Sequence, residues 1–365
     1  MKRIKILFYL FVFAAVWQAC TDDESEELKP QPAVYDATAY ELNYYGLPAP
    51  NLPTDNTLTE QGVQLGKMLF YEPMLSKNGV QTCATCHSQP TSFSDTAKFS
   101  IGVEGLPGKR QSMALFNMAW HTNQFFWDGR ADLLRDQVLM PIQDPLEMNE
   151  SLENVVTKLS ASQQYRDQFI RAFGTETVNP ELISLALEQF ILSIISANSK
   201  YDKYQAGLVE LSESELRGLE LFEAEYNPFF PEFSGADCQH CHGGPNFEND
   251  LYMNNGIDQE NRFSDLGREL VTENPLDRAK FKVPSLRNIA NSAPYMHDGR
   301  FATLEEVIDH YNENIHVSPT LDQALLATTE TGLLLTDQDK TDLINFLKTL
   351  TDETYLENAE YASPF

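Results

Sequence analysis

The chain is poor in basic residues. Of its 365 residues, 26 are lysine or arginine and 54 are aspartate or glutamate, so its formal net charge is −28. A surface of this sign repels the phosphates of nucleic acids and anionic lipid headgroups. The composition therefore excludes nucleic acid as a partner and argues against charge-driven binding to a membrane. It favours a basic electron donor as partner, with an ordinary solvated acidic surface as the alternative.

Long hydrophobic runs are also scarce. An apolar segment, residues 6–17, follows three basic residues at the N-terminus and is too short to cross a bilayer. Together with the small residue Ala19 before Cys20, this arrangement is typical of an export signal. We predict a signal peptide over residues 1–19 and lipidation of the Cys20 thiol, with an ordinary signal peptide as the alternative.

Residues 21–34 have almost nothing to bury. They are acidic and contain proline, which is the composition of a solvated tether. We therefore expect residues 20–54 to be a lipid-anchored tether and lead-in, with this N-terminal lipid as the only membrane attachment. The expected location is the cell envelope, in the periplasm and on the outer membrane through Cys20.

Cysteine is rare, and four of the five cysteines form two copies of one motif. The residues of the two Cys-x-x-Cys-His motifs are Cys83, Cys86, His87, Cys238, Cys241 and His242. In c-type haem attachment, two thiols add to the vinyl groups and the histidine behind them binds the iron. A disulfide within each pair and a zinc site are the alternatives, but neither requires that histidine in both copies. The sequence thus predicts two covalently bound haem c groups.

The sequences flanking the two motifs correspond as well. Each motif follows a predicted capped helix and precedes an Asp-Gly-Arg triplet that opens another helix. The predicted helices are 58–70 and 133–139 in the first copy, and 211–222 and 304–311 in the second. The chain is therefore predicted to contain two copies of one haem-binding unit.

Strand-like alternation is scarce, whereas three further segments carry apolar residues at helical spacing. These segments are 152–173, 180–199 and 337–350. We expect a mainly α protein with two cytochrome c-like haem domains related by internal duplication. The N-terminal haem domain is predicted over residues 55–205 and the C-terminal one over residues 206–352, with residues 353–365 as a tail.

The two units differ at one informative position. Alignment on Asp-Gly-Arg sets Pro141 of the first unit opposite Tyr311 of the second. Proline has no donor atom for iron, whereas a tyrosine phenolate is a known haem ligand. We predict an open, five-coordinate haem on His87 and a closed, six-coordinate haem on His242 and Tyr311. Other side chains that could close the second haem are Met296, which is the main alternative, and His297, His310 and His316.

These motifs resemble those of the bacterial dihaem cytochrome c peroxidase family, which includes MauG. The resemblance covers nearly all of residues 55–350 and is carried by the two haem motifs, residues 126–131, Gln137, Pro141, residues 147–148 and residues 293–301. Tyr311 stands where common peroxidases have methionine and MauG has tyrosine, so the chain resembles MauG at the closed haem. It departs from MauG at Ala236, where MauG has the tryptophan that passes oxidising equivalents to its protein substrate.

The resemblance implies roles for several residues. Trp127 would relay electrons between the haems, with an ordinary packed aromatic as the alternative. Gln137 and Glu147 would face the open haem, where the carboxylate of Glu147 moves a proton between the oxygens of peroxide. The resemblance also implies a structural calcium between the units, bound by carbonyls near Ser292 and Pro294 and by the side chain of Gln111, where family members commonly have asparagine.

Many family members block the open haem with a histidine on the loop after the first motif. Val103 stands in that place here, and no histidine occurs between His87 and His121. Lys98 and Met113 are the nearest residues that could replace it as an iron ligand. We therefore expect the ferric protein to have a vacant site and to react with peroxide without prior reduction.

The resulting prediction is an envelope enzyme that reduces hydrogen peroxide at the N-terminal haem. Electrons would come through the C-terminal haem from a small redox donor, either a cytochrome c or a cupredoxin-like protein. One alternative is MauG-like oxidation of a protein or organic substrate. The other is a plain electron-transfer cytochrome, which would have two six-coordinate irons.

Overall fold

The computed structural model describes residues 32–365. The predicted signal peptide, the cleavage before Cys20 and its lipid lie outside the described residues. Within the described range, no helix is both long and apolar enough to cross a bilayer. Helices dominate that range, as expected for a mainly α protein, and its one sheet pairs two short antiparallel strands.

The described chain up to residue 205 contains eight α-helices. They are α1 (Glu60–Phe70), α2 (Cys83–Cys86), α3 (Leu134–Gln137), α4 (Met140–Gln143), α5 (Leu152–Ala161), α6 (Gln163–Phe173), α7 (Pro180–Ser193) and α8 (Lys200–Gln205). Short 3-10 helices lie at Pro73–Leu75, Gln89–Thr91 and Met118–Trp120.

The remainder contains six α-helices and the two strands. They are α9 (Glu213–Glu223), β1 (Tyr252–Met253), α10 (Glu269–Thr272), β2 (Phe281–Lys282), α11 (Leu304–Glu313), α12 (Gln323–Leu326), α13 (Asp337–Lys348) and α14 (Glu353–Leu356). Its 3-10 helices lie at Pro231–Phe233, Cys238–His240, Glu260–Arg262, Pro275–Asp277 and Ile289–Asn291. In the sheet, Tyr252 pairs with Lys282 and Met253 pairs with Phe281.

Two segments predicted as continuous helices are interrupted. The helix expected over residues 133–139 ends at Gln137, and α4 then begins with Pro141 in its first turn. Proline lacks the N–H that would bond a carbonyl one turn earlier, so it begins a helix more readily than it continues one. The segment 152–173 divides at Ser162, whose extended backbone ends α5 and precedes α6.

Each haem unit is built on two crossing helices, α1 with α7 and α9 with α13. A Cβ atom at Gly66 would lie 1.9 Å from the carbonyl oxygen of Ala186, and one at Gly218 would lie 2.0 Å from that of Asp342. Only glycine avoids these overlaps, so it allows the two helix backbones to approach closely in both units.

A phenylalanine pair packs beside each crossing. Phe70 of α1 meets Phe190 of α7 with ring centroids 5.3 Å apart, and Phe222 of α9 meets Phe346 of α13 at 5.2 Å. All four rings are at most 2% exposed. Because each pair stands four residues beyond its glycine contact on both helices, the two crossings have the same local design.

The expectation that residues 353–365 form a tail is corrected by the structure. Tyr355 and Tyr361 are buried in the core of the N-terminal unit, at 2% and 6% exposure. The side chain of Gln89 donates to the carbonyl of Tyr355 at 3.0 Å, and the hydroxyl of Tyr361 accepts from the N–H of Ile195 at 3.1 Å. Burying one large apolar side chain contributes roughly 1.5–3 kcal/mol, so this segment stabilises the first unit.

Candidate active site

The first haem motif is presented by the single turn of α2. Thr82 and Thr85 form a capping box that fixes the start of this turn, and the N–H of His87 donates to the carbonyl of Cys83 at 3.0 Å. Nδ1 of His87 lies 2.8 Å from the carbonyl oxygen of Phe93. Burial lowers the pKa of His87, so a neutral imidazole donates from Nδ1 and keeps the Nε2 lone pair for iron.

The second motif repeats this arrangement on a 3-10 turn. Nδ1 of His242 lies 3.1 Å from the carbonyl oxygen of Pro284 and 3.3 Å from that of Phe247. Burial lowers the pKa of His242 to about 4, which keeps this imidazole neutral and able to bind a metal.

The four motif cysteines are free thiols, so neither pair forms a disulfide. Burial raises the pKa of Cys83, Cys238 and Cys241 to about 12. Among the described residues, no group of three or more His, Cys, Asp or Glu side chains is arranged to hold a metal ion. The donor set of each motif, two thiols and a neutral imidazole, fits haem c.

Two candidate sixth ligands of the second haem lie together. The side-chain amide of Asn255 is 3.3 Å from both the phenol oxygen of Tyr311 and the sulfur of Met296. Burial raises the pKa of Tyr311 to about 12; the hydrogen bond from Asn255 opposes this increase, and the Cys241 and Cys238 thiols add to it.

Two of the competing histidines, His297 and His310, make other contacts. The ring of His297 stacks on Phe281 with centroids 3.7 Å apart. Nε2 of His310 lies 3.1 Å from the carbonyl oxygen of Asn255. By contrast, the phenol of Tyr311 and the thioether of Met296 both contact the side-chain amide of Asn255.

Glu147 lies close to the first motif. Burial raises the pKa of its carboxyl group to about 7, with a further increase from Asp144 and an opposing effect from Arg130. Its charge is near enough to raise the pKa of the Cys83 and Cys86 thiols. A carboxyl group that titrates near neutrality can both accept and return a proton. Gln137, half-buried at the end of α3, and Pro141 in α4 lie just before it in the chain.

The loop that carries Val103 is fixed beside Glu147. The N–H of Val103 donates to the carbonyl of Glu147 at 2.8 Å. The next residue, Glu104, accepts from Lys77 at 2.6 Å and from the side chain of Asn149 at 2.7 Å. These contacts hold an apolar side chain at this position of the loop.

The two residues considered as replacement ligands have other neighbours. Met113 follows Ser112, whose hydroxyl lies 3.4 Å from Nδ1 of His87, so it lies on the side of the proximal imidazole. The ammonium of Lys98 lies 5.5 Å from the centroid of the Phe99 ring and is near enough to Asp298 to lower the pKa of that carboxyl.

Trp127 connects two segments that each contact a proximal histidine. Its indole N–H donates to the carbonyl of Gln111 at 2.8 Å, and its own carbonyl accepts from the N–H of Lys282 at 2.7 Å. Ser112, next to Gln111, places its hydroxyl 3.4 Å from Nδ1 of His87. Two residues beyond Lys282, the carbonyl of Pro284 contacts His242. Trp127 therefore lies between the two haem motifs.

A cavity of about 80 Å³ lies beside Trp127. Gln111, Ser292 and Pro294, the residues expected around calcium, all line this cavity. The side-chain amide of Gln111 donates to the carbonyl of Asp95 at 3.1 Å. The three predicted residues are thus brought together by the fold.

A buried ionisable cluster in the same place was missed by sequence reasoning. His121 lies 3.6 Å from Glu248 and 3.8 Å from Asp250, which also pairs with the buried ammonium of Lys282. Burial lowers the pKa of His121 to about 4 and raises that of Glu248 to about 8. The available signal was that Lys282, at the end of β2, stands between two apolar residues, Phe281 and Val283.

Comparisons with known proteins agree with this geometry. The family model for di-haem cytochrome c peroxidase matches residues 60–210. The chain is 34% identical over 305 residues to the methylamine utilization protein MauG of Methylorubrum extorquens, covering 82% of this chain and 81% of that protein. It is 36% identical over 249 residues to cytochrome c551 peroxidase of Nitrosomonas europaea, covering 67% of this chain and 71% of that protein.

A solved structure of a MauG-like protein associated with microbial copper homeostasis is also similar. It has 34% sequence identity and a TM-score of 0.78, and the match covers 90% of this chain and 99% of that one. The predicted family, its peroxidase-type oxidoreductase activity and its haem c cofactors are therefore confirmed. This chain belongs to the dihaem cytochrome c peroxidase family, which includes MauG.

Proposed function

We propose that this chain reduces hydrogen peroxide at the haem attached to Cys83 and Cys86, with electrons that arrive at the haem attached to Cys238 and Cys241. The observation that carries the proposal is the asymmetry between the two sites. A carboxyl group with a near-neutral pKa lies beside the first motif, whereas two potential iron ligands lie beside the second.

When bound, each haem supplies an iron that exchanges electrons. Glu147 contributes proton transfer: its carboxylate takes the proton from the inner oxygen of peroxide and delivers it to the outer oxygen, which leaves as water when the O–O bond breaks. Two electrons from the donor and two further protons convert the inner oxygen to a second water, so one peroxide gives two waters. Gln137 contributes a hydrogen bond that orients the peroxide. The fixed loop presents Val103, which has no donor atom for iron, so the loop leaves the peroxide position on the first haem free of a protein ligand.

Trp127 is the proposed relay between the haems. The path runs from the His242 side through Pro284 and the backbone of β2 to Trp127, and then through Gln111 and Ser112 to His87. Its support is the chain of contacts at 2.7–3.4 Å that joins these groups. Tyr311 is the proposed sixth ligand of the second haem, with Met296 as the alternative.

We further propose a calcium ion in the cavity beside Trp127, bound through Gln111, Ser292 and Pro294. Hard oxygen donors of this kind suit calcium, and an ion there would hold the two units in register. For the residues that the structure does not describe, we propose an export signal and a lipid on Cys20. The protein would then be a lipoprotein tethered in the periplasm.

Internal duplication remains our proposal for the origin of the two units, and the repeated helix crossing supports it. A second repeated feature is a buried asparagine in the left-handed region. Asn117 (φ 52°) accepts from the N–H of Ser196, and Asn288 (φ 56°) accepts from the N–H of Asp352, each at 2.8 Å. Each asparagine therefore ties the haem-binding loop to the residues that follow the second crossing helix of its unit.

The function is tested by adding peroxide to the holoprotein with and without a reduced small cytochrome. A peroxidase oxidises two equivalents of the cytochrome for each peroxide consumed.

The second candidate is MauG-like oxidation of a protein or organic substrate, favoured by Tyr311 and opposed by Ala236. It predicts slow use of the cytochrome and persistence of the oxidised haem spectrum. A plain electron-transfer cytochrome would show two six-coordinate irons in its ferric EPR spectrum.

A further inference from the structure

An exposed aromatic loop precedes the second haem motif. Phe229, Phe230 and Phe233 have 85%, 58% and 74% of their surface exposed, although the chain buries most of its other phenylalanines at least partly. Three exposed phenyl rings within five residues form an apolar patch, and exposed apolar patches on soluble proteins mark interaction sites. The residues of this loop, 226–234, are called the aromatic loop below.

The aromatic loop is held in shape by its own hydrogen bonds. The side-chain oxygen of Asn227 accepts from the N–H groups of Phe229 and Phe230, both at 3.1 Å, and the N–H of Phe233 donates to the carbonyl of Phe230 at 3.0 Å. The base is closed where the N–H of Gly235 donates to the carbonyl of Glu225 at 3.0 Å. The three exposed rings are therefore carried by a loop whose shape is fixed by internal hydrogen bonds.

The position and charge of the loop identify its partner. Asp237, which precedes Cys238, bonds the end of α9 through its N–H at 3.0 Å, so the loop adjoins the attachment of the second haem. Exposed carboxylates flank the patch at Glu223, Glu225 and Glu232. An apolar centre with an acidic rim complements a basic protein that has an apolar face.

We propose that the aromatic loop is the docking surface for a small soluble electron donor whose cofactor edge is surrounded by apolar side chains and lysines. This inference rests on the proposed function, because it requires electrons to enter at the second haem. In the docked complex one electron passes from the donor to the iron, the donor is oxidised by one equivalent, and no bond forms or breaks. The phenyl rings exclude water, while the carboxylates accelerate encounter.

The test variant combines Phe229→Ser, Phe230→Ser and Phe233→Ser in the holoprotein. The control combines Leu270→Ser, Leu276→Ser and Val317→Ser, three apolar residues with 61%, 69% and 60% exposure elsewhere on the surface. The assay is peroxide-dependent oxidation of a reduced, basic c-type cytochrome at low salt. We expect KM for the cytochrome to rise on the order of tenfold in the test variant and to stay unchanged in the control.

Two parallel measurements separate this inference from the proposed function. Peroxide reduction driven by ascorbate through a small mediator bypasses docking. If the unaltered protein does not reduce peroxide under these conditions, the proposed peroxidase function is wrong. Binding of the oxidised cytochrome, followed by NMR line broadening, reports docking without turnover and should weaken in the test variant alone.

Equal KM and equal binding in the test variant and the unaltered protein would overturn the docking proposal. A second contrary outcome is that the three phenylalanines are needed for binding to zwitterionic phosphatidylcholine vesicles but not for cytochrome oxidation. The patch would then be a membrane contact. Phenylalanine-dependent self-association in sedimentation experiments, again without an effect on cytochrome oxidation, would assign the patch to a second copy of the chain.

Discussion

Replacing Glu147 by glutamine gives the sharpest test of the proposed chemistry. Glutamine keeps the size and hydrogen-bonding shape of the side chain but cannot carry the proton between the two oxygens of peroxide. A positioned proton carrier contributes about 10²- to 10⁴-fold to a rate. We therefore expect Glu147→Gln to bind both haems normally and to cleave peroxide slower by roughly two to four orders of magnitude.

The pH dependence supplies a second readout of the same group. The pKa of Glu147 is raised to about 7, chiefly by burial, and only the ionised carboxylate can accept a proton. The second-order rate with peroxide should therefore rise from pH 5 towards pH 8 in the unaltered protein, and Glu147→Gln should remove this rise. Because a raised carboxyl pKa favours the protonated folded state, the contribution of Glu147 to stability is fully present below pH 4.5 and is lost as the pH rises through 7. Glutamine cannot ionise, so Glu147→Gln should remove this loss and be at least as stable as the unaltered protein at pH 8.

The assay is stopped-flow mixing of the ferric protein with peroxide from pH 5 to pH 9, followed by the Soret absorption. Glu153→Gln, on the exposed face of α5, is the matched control and should behave like the unaltered protein. Unchanged rates and an unchanged pH profile in Glu147→Gln would refute the reasoning and return Glu147 to an ordinary buried carboxyl group.

The remaining predictions concern the second haem, the relay, the first iron and the helix crossing. Tyr311→Phe should change the ferric absorption spectrum of the second haem, and an unchanged spectrum would transfer the ligand role to Met296. Trp127→Phe should slow electron transfer between the haems, seen by flash reduction, while both haem spectra persist; unaltered transfer would make Trp127 a packed aromatic. With Val103 fixed over the first site, the as-isolated ferric protein should react with peroxide at once, and a requirement for prior reduction would reveal a hidden ligand. Gly218→Ala should lower the free energy of unfolding in urea by about 1–3 kcal/mol, because the added Cβ overlaps α13, and a neutral effect would contradict the close approach.

Local sequence signals predicted the parts of the site that depend on short spacings. The two Cys-x-x-Cys-His motifs identified the haem attachments, and capping residues such as Thr59 and Ser212 placed the starts of α1 and α9. The resemblance to the family then named Glu147, which the fold brings near Cys83 and Cys86. These inferences could be made from the sequence because the chemistry sets either the spacing or the residue type.

Long-range packing could not be predicted in this way. Nothing local in residues 353–365 shows that Tyr355 fills the core of the first unit, since its hydrogen-bond partner Gln89 is 266 positions away in the chain. Likewise, the burial of Lys282 becomes understandable only when Asp250 and His121 are seen beside it. Tertiary partners of this kind override the usual rule that lysine is exposed.

The comparison of the two units suggests how one scaffold supports two different haem environments. The helix crossing, its glycine and its phenylalanine pair are the same in both, so the frame that positions each proximal histidine is shared. The difference arises downstream of the Asp-Gly-Arg triplets. In the first unit Pro141 breaks the helix into two short turns, and Glu147 approaches the motif from the loop beyond them. In the second unit α11 continues without interruption and carries Tyr311 to the motif. If Tyr311 is the ligand, as we propose, one proline changes both the side chain offered to the iron and the length of the helix that would deliver it.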